Sequence, residues 1–163
     1  LFRSILSMKR WLALCLCALF AFPLWGCTQK ESSTDQTPDQ LLESMKTAVG
    51  EENLPMLEAG DETLLQSFYG LSPDDLTSYA WEFAAINVQA DEFFVAQVKE
   101  GHMDAVRSAI EKRQADLEST WEQYLPEVYD TVKDSRTVEK GDFILYVVSP
   151  QADEAVAAFE KAF

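Results

Sequence analysis

The sequence predicts an α+β domain: an antiparallel sheet of about four strands, in the order β-β-α-β-β-α, with its helices on one face and further helices before it. Three observations predict this class. Apolar residues recur at helical spacing in several segments, aromatic and β-branched residues fill four short segments, and glycine or proline separates these segments. A chain of 163 residues with 47% hydrophobic content can form one such core.

Two helices are expected before the sheet. Apolar residues recur three and four apart over residues 41–49, and Gly50 is a stop signal for this helix. A second helix is predicted over residues 61–69, where Asp61 can cap the start and Gly70 can end it. The following Ser-Pro-Asp-Asp stretch indicates the start of a helical turn.

The first two strands are predicted as a hairpin over residues 78–87 and 93–99, with a turn at residues 89–91. Tyr79, Trp81 and Phe83 alternate with smaller or polar residues and therefore share one face. If the helices cover the opposite face, these three side chains form an exposed surface for a protein partner or a glycan. The alternative interpretation places them in the core.

The second half of the domain starts with a long helix from Met103, whose apolar stripe extends to Tyr124 before Pro126 disturbs it. The elements expected next are a short helix (127–134), a short strand (137–139), a tight Lys-Gly turn (140–141), a strand (142–149) and a last helix that starts at Ser149-Pro150. The strand over residues 142–149 is almost wholly apolar, so both its faces should be covered and it should be central in the sheet.

The N-terminal part of the sequence is typical of a secretion signal. Met8-Lys9-Arg10 is a short basic start, and the apolar run of 14 residues from Trp11 to Leu24 is shorter than the ~20 residues that a membrane-spanning helix needs. The run ends in Leu24-Trp25-Gly26-Cys27, which resembles the lipobox of bacterial lipoproteins, although Trp25 departs from its usual small or β-branched residue. This resemblance implies a diacylglycerol thioether on Cys27 and cleavage before it.

The sequence therefore predicts three parts: a lipoprotein signal peptide (1–26), a flexible tether (27–40) and a single α+β domain (41–163). The tether contains no apolar residue after Cys27. The expected location is the extracellular face of the cell membrane, with the lipid on Cys27 as the membrane contact. The start of translation is expected at either Leu1 or Met8.

Charge and cysteine content exclude several classes of function. The formal net charge is −15, and every acidic residue follows position 26, so a nucleic-acid ligand is not expected. Cys15, Cys17 and Cys27 are the only cysteines. The mature domain therefore offers no disulfide, no thiol nucleophile and no cysteine-based metal site, and no cofactor is predicted.

No catalytic residue is predicted. His102 is the only histidine, and we interpret it as an exposed residue at a strand-to-helix junction rather than as part of a catalytic triad. The carboxylate pairs at 74–75, 91–92 and 153–154 are interpreted as helix-cap or turn residues, because sequence spacing does not bring two carboxyl groups into one cleft.

Several segments in order resemble one family. They are Phe68-Tyr69-Gly70-Leu71, Phe93-Phe94-Val95-Ala96-Gln97-Val98-Lys99, Ala109-Ile110-Glu111-Lys112-Arg113, Trp121-Glu122-Gln123-Tyr124-Leu125-Pro126, and Gly141-Asp142-Phe143-Ile144-Leu145-Tyr146-Val147-Val148. Over about residues 41–163 the chain resembles uncharacterised lipoproteins of Gram-positive, largely anaerobic bacteria, a family known as domain of unknown function 4358. The resemblance implies an envelope location and carries no catalytic residues.

The leading functional hypothesis is a non-catalytic, membrane-tethered binding or accessory module of the cell envelope, whose partner is an envelope protein or a glycan. A lipoprotein that captures a solute for a transporter is one alternative. A cell-wall hydrolase that works through two carboxylates is the other.

Overall fold

A computed structural model describes residues 33–163. The predicted signal peptide, the lipidation site Cys27 and the first half of the predicted tether lie outside the described residues.

The described chain contains five α-helices and five strands, with short 3-10 turns at Glu51–Asn53 and Pro73–Asp75. In chain order the elements are α1 (Pro38–Val49), β1 (Leu57–Ala59), α2 (Glu62–Tyr69), β2 (Leu76–Ala84), β3 (Glu92–Val98), α3 (Met103–Trp121), α4 (Pro126–Lys133), β4 (Arg136–Lys140), β5 (Phe143–Val148) and α5 (Ala152–Glu160). The α+β class and every predicted helix and strand are confirmed. Among residues 33–163, no helix combines the length and the apolar character that crossing a membrane requires.

The strands form one antiparallel sheet in the order β1-β2-β3-β5-β4. Both predicted hairpins, β2–β3 and β4–β5, are present. All six residues of β5 are buried, as predicted from its apolar sequence. As predicted it is an inner strand, paired with β3 on one side and with β4 on the other, although β3 occupies the middle of the sheet.

The fifth strand, β1, was not expected from the sequence. Leu57 to Ala59 pairs with residues 82–84 of β2, so it extends the sheet on the side away from β5. The strand has only three residues, and two of them are exposed. Such a short edge strand has no detectable alternation, and its backbone pairing with β2 determines it instead.

Helices cover both faces of the sheet, whereas the sequence led us to expect helices on one face. Phe94 and Ala96 of β3 lie in a core with residues of α2, α3 and α4, while Phe93 and Val95 lie in a second core with residues of α1 and α5. The physical reason is the apolar run of residues 93–96 in β3 together with the wholly apolar sequence of β5, since strand segments without polar alternation need cover on both sides.

The first helix begins at Pro38, so the tether predicted to extend to residue 40 ends earlier. Thr37 is the N-cap, and its hydroxyl accepts from the Gln40 backbone N–H while the Gln40 side chain accepts from the Thr37 N–H. Proline at the first helical position completes a strong start signal that lies within the polar segment.

Candidate functional site

A buried polar cluster lies at the start of β3. Glu92 is 1% exposed, and its Oε1 accepts hydrogen bonds from the Tyr69 hydroxyl at 2.5 Å and from Trp81 Nε1 at 3.0 Å. Its Oε2 accepts from Arg113 Nη2 at 2.7 Å and Nε at 3.0 Å. Four elements, α2, β2, β3 and α3, thus meet at one carboxylate.

The periodicity of the elements explains why these side chains meet. Glu92 and Phe94 are two residues apart on β3 and therefore face the same side, towards α2 and α3. Arg113 lies three residues after the buried Ile110 of α3, and so on the helix face that covers the sheet. The Arg113 guanidinium also lies 4.5 Å from the ring centre of Phe68, which adds a cation–π contact.

Burial and neighbouring charge determine the protonation states in this cluster. Burial, with the negative charge of Glu92, holds the pKa of Tyr69 well above its ordinary value, so Tyr69 remains a hydrogen-bond donor. Burial alone would lower the pKa of Arg113, but the adjacent Glu92 carboxylate outweighs this and the pKa is raised. The cluster is therefore a closed ionic network rather than a set of free reactive groups.

A cavity of about 310 Å³ lies beside this network, between the β2–β3 loop and the C-terminal half of α3. Its wall combines aromatic, aliphatic and amide side chains with the charged residues of the cluster. The larger side chains that line it include Phe68, Phe83, Ile86, Arg113, Leu117 and Trp121.

Asp91 also belongs to the cavity wall and is 6% exposed. Burial raises its pKa to about 6, although hydrogen bonds from its own backbone and from the Ser149 side chain act in the opposite direction. No ion pair involves Asp91 within the part of the chain that the structure describes.

Exposed apolar side chains lie on the segments that border the cavity. Of the large hydrophobic residues in the described chain, four are exposed: Met56, Ile86, Val88 and Tyr124. We call these four residues the hairpin-tip surface. Ile86 and Val88 lie in the β2–β3 loop, the Met56 carbonyl accepts from the Ala85 N–H of that loop, and the Tyr124 ring lies 5.8 Å from that of Trp121 in the cavity wall.

The three aromatic residues predicted as a partner surface lie under helices. Trp81 is 2% exposed, and the partly buried Tyr79 and Phe83 pack against the same core. Phe68 of α2 makes edge-to-face contacts with Trp81 and Phe83. This face of β2 is not bare, which was the condition for the surface interpretation, and the arrangement fits the core alternative. Phe83 still contributes to the cavity wall.

His102 immediately precedes α3, and its Nδ1 lies 2.9 Å from Asp75 Oδ1. The Ser72 hydroxyl accepts from the Asp74 N–H, while Asp75 accepts from the Ser72 N–H. These contacts cap the 3-10 turn before β2 and join it to the start of α3. A structural role accounts for the side chains of Ser72, Asp75 and His102.

The carboxylate pairs differ in their roles. Asp74 and Asp75 belong to the capped 3-10 turn, and Asp153 and Glu154 lie in the first turn of α5, as expected. Glu92 does not fit the turn interpretation, because it begins β3 inside the core. No group of three or more metal-ligating side chains occurs among residues 33–163.

A larger groove of about 590 Å³ lies between α1 and α5. Small side chains line most of it, including Ser44, Ala48, Ala157 and Ala158, and no aromatic residue contributes. It offers little for specific recognition, so the cavity beside Glu92 is the stronger candidate site.

Sequence reasoning missed Glu92 and Arg113. Two signals were available: Glu92 directly precedes the apolar run Phe93-Phe94-Val95-Ala96, and Arg113 follows Ile110 at helical spacing on the apolar stripe of α3. A charge of each sign, each on a core-facing position, predicts a buried pair.

A family model for a domain of unknown function, DUF4358, matches residues 50–149, and the chain belongs to this family. The matched range contains the buried network and the hairpin-tip surface. No curated protein and no solved structure matched the chain.

Proposed function

We propose that this DUF4358 protein is a lipid-anchored, non-catalytic binding or accessory module on the extracellular face of the cell membrane. Its anchor is the lipid on Cys27, and its folded domain presents the cavity and the hairpin-tip surface to a partner in the envelope.

One observation carries the non-catalytic part of the proposal. Both oxygens of the Glu92 carboxylate already accept hydrogen bonds, Oε1 from Tyr69 and Trp81 and Oε2 from Arg113. A general acid or base must exchange its proton with a substrate, and a carboxylate saturated by buried donors is poorly placed to do so. Glu92 and Arg113 also line the cavity, so the same network holds part of its wall in place for a ligand or partner.

Exposed apolar area supports a binding role. Soluble domains scatter single exposed hydrophobic side chains, but a group of them around a concavity is typical of an interaction site. In this protein Ile86 lines a cavity with aromatic walls, and the other three residues of the hairpin-tip surface lie on segments that border it.

The anchor is supported by sequence. The basic start, the short apolar run and the Leu-Trp-Gly-Cys motif occur in the order that a lipoprotein signal requires. Acyl chains contribute ~0.8 kcal/mol for each buried CH₂, so a diacylglycerol on Cys27 would hold the chain at the membrane.

The anchor is tested with Cys27→Ser in the producing organism or a bacterial host with a lipoprotein pathway. The variant should lose labelling by a fatty-acid analogue and either accumulate as an uncleaved precursor or leave the membrane fraction. Cys17→Ser is the matched control, because it removes a thiol from the predicted signal peptide and should leave labelling unchanged. Continued labelling of Cys27→Ser would refute the proposal.

Solute capture is the second candidate function, and the cavity favours it. A volume of about 310 Å³ lies at the lower end of the range typical of small-molecule sites. A thermal-shift screen of the full chain against envelope metabolites tests this function, since a bound ligand raises the melting temperature. In Leu117→Trp the larger side chain should occupy part of the cavity. A compound that still raises the melting temperature of this variant would bind elsewhere.

A further inference from the structure

We infer that the hairpin-tip surface docks a polypeptide segment that carries both basic and apolar side chains, contributed by another envelope protein. This inference rests on the proposed function, because it names the kind of partner that the anchored domain would bind.

The shape of the site fits an inserted side chain. The β2–β3 loop and the C-terminal half of α3 form two walls, and Ile86, Leu117 and Trp121 contribute apolar side chains to the cavity between them. Tyr124, which is 59% exposed, packs on the buried Trp121 and so is held in place before any partner arrives. Fixed aromatic residues next to a pocket are typical energetic centres of protein interfaces.

The charge of the domain determines which segment fits. Residues 33–163 contain 9 basic and 27 acidic residues. Eight of the nine basic side chains already have a carboxylate within 4.0 Å, so the surplus consists of carboxylates.

The same imbalance holds locally. Arg113 is the only basic residue in the cavity wall, and Glu92 neutralises it. Glu122 lies beside Trp121 and Tyr124, and Glu58 lies on β1 opposite Phe83. Both are exposed and form no ion pair within the described chain. An apolar segment with lysine or arginine side chains complements this surface.

Two other occupants fit less well. An anionic bilayer would be repelled by the exposed carboxylates of Glu58 and Glu122 and by the acidic excess of the domain. A second copy of the chain that docked through the same surface would place the same carboxylates against one another, which costs binding energy instead of adding to it. A basic polypeptide gains from both the apolar and the charged features.

Site-specific photocrosslinking of the full-length chain in its cells tests the inference. A photoreactive amino acid replaces Val88 or Tyr124, and the control position is Glu100, which is exposed at the opposite end of β3. The crosslinked product is digested, and the attached segment is identified by mass spectrometry. We expect Val88 and Tyr124, but not Glu100, to capture one protein through a segment rich in lysine or arginine and large apolar residues.

Three variants sharpen the result. Ile86→Asp and the double change Glu58→Lys with Glu122→Lys should each reduce the yield by roughly tenfold, because they oppose the apolar and charged contacts respectively. Glu100→Lys adds a positive charge at the control end and should leave the yield unchanged. All of the changed side chains are exposed, and urea unfolding verifies that each variant is folded.

The outcomes separate this inference from the proposed function. Crosslinks to lipid, to a second copy or to a segment without basic residues overturn the inference, as does equal capture from Glu100. Failure to crosslink at Val88 and Tyr124 also overturns it. Capture from Glu100 alone leaves the anchored binding module intact but moves its interface, whereas a Cys27→Ser variant that keeps its lipid refutes the proposed function whatever the crosslinks show.

Discussion

The guanidinium of Arg113 and the carboxylate of Glu92 form a buried two-point ion pair, with Nη2 and Nε of Arg113 at 2.7 and 3.0 Å from Oε2 of Glu92. The two side chains are 14% and 1% exposed. Because the pair lies where α2, β2, β3 and α3 meet, it fixes the position of α3 over the sheet and thereby the shape of the cavity. Its energetic role is measurable by removing either partner.

Arg113→Met should lower the free energy of unfolding by about 3–5 kcal/mol, because it leaves the Glu92 charge buried without its counter-charge. Urea unfolding followed by tryptophan fluorescence measures the loss. Lys112→Met is the matched control on the same helix, where an exposed pair with Asp116 contributes less than about 1 kcal/mol. Equal losses for the two variants would contradict a specific role for the buried pair.

Tyr69→Phe removes one hydroxyl that donates to Glu92 and leaves the aromatic packing in place. Hydrogen bonds to charged groups contribute about 1.5–3 kcal/mol, and we expect a loss of unfolding free energy in this range. Tyr124→Phe removes an exposed hydroxyl and should change stability by less than about 0.5 kcal/mol. A neutral Tyr69→Phe would show that the hydroxyl does not stabilise the carboxylate.

The helices and strands could be predicted because their signals are local. Asp61 accepts from the Leu64 N–H at the start of α2, and Gly70 ends that helix with a positive φ of 70°, as the sequence indicated. The six-residue apolar run of β5 likewise predicted that the whole strand is buried.

The arrangement of the elements was predicted less well because it depends on contacts between distant segments. The edge strand β1 exists only through its pairing with β2, and the cover on both sheet faces depends on where α1 and α5 dock. The candidate site also depends on contacts between distant segments. Glu92 and Arg113 are 21 residues apart, and only the packing of α3 on the sheet brings them together.

Gly60 lies against Trp81, and a methyl group at this position would come within 1.9 Å of the indole ring. Gly60→Ala should therefore destabilise the domain by about 1–3 kcal/mol or more through overpacking, measured by thermal or urea unfolding. The change would also displace Trp81, which donates to Glu92.

Gly70 provides the control for Gly60, because its constraint is of a different kind. A β-carbon at position 70 would have no neighbouring atom within 4 Å, but φ is positive there. Gly70→Asn should be tolerated better than Gly70→Ala, since asparagine accepts this conformation. Gly60→Asn should be at least as damaging as Gly60→Ala, and a rescue by asparagine at position 60 would refute the steric explanation.

Asp91 should make the stability of the domain depend on pH. Its pKa is raised from 3.8 to about 6 in the folded protein, chiefly by burial, so the folded state binds the proton more tightly than the unfolded chain. Above about pH 6 the buried charge opposes folding in full, and this cost is relieved as the pH falls towards 4. Asp91→Asn removes the charge, so its unfolding free energy relative to wild type should be higher at pH 7.5 than at pH 4 by up to about 3 kcal/mol.

Asp75→Asn gives the opposite sign and serves as the comparison for Asp91→Asn. The Ser72 backbone N–H and the His102 side chain lower the pKa of Asp75 in the folded protein. The Asp75 carboxylate therefore stabilises the fold at any pH above the pKa that it has in the unfolded chain, and this contribution is lost as the pH falls through the folded pKa. Relative to wild type, Asp75→Asn should therefore be more destabilised at pH 7.5 than at low pH. Urea unfolding of the three proteins between pH 3 and 7.5 measures both slopes, and a shared sign would contradict the assignment of Asp91 as a carboxyl group whose buried charge opposes folding.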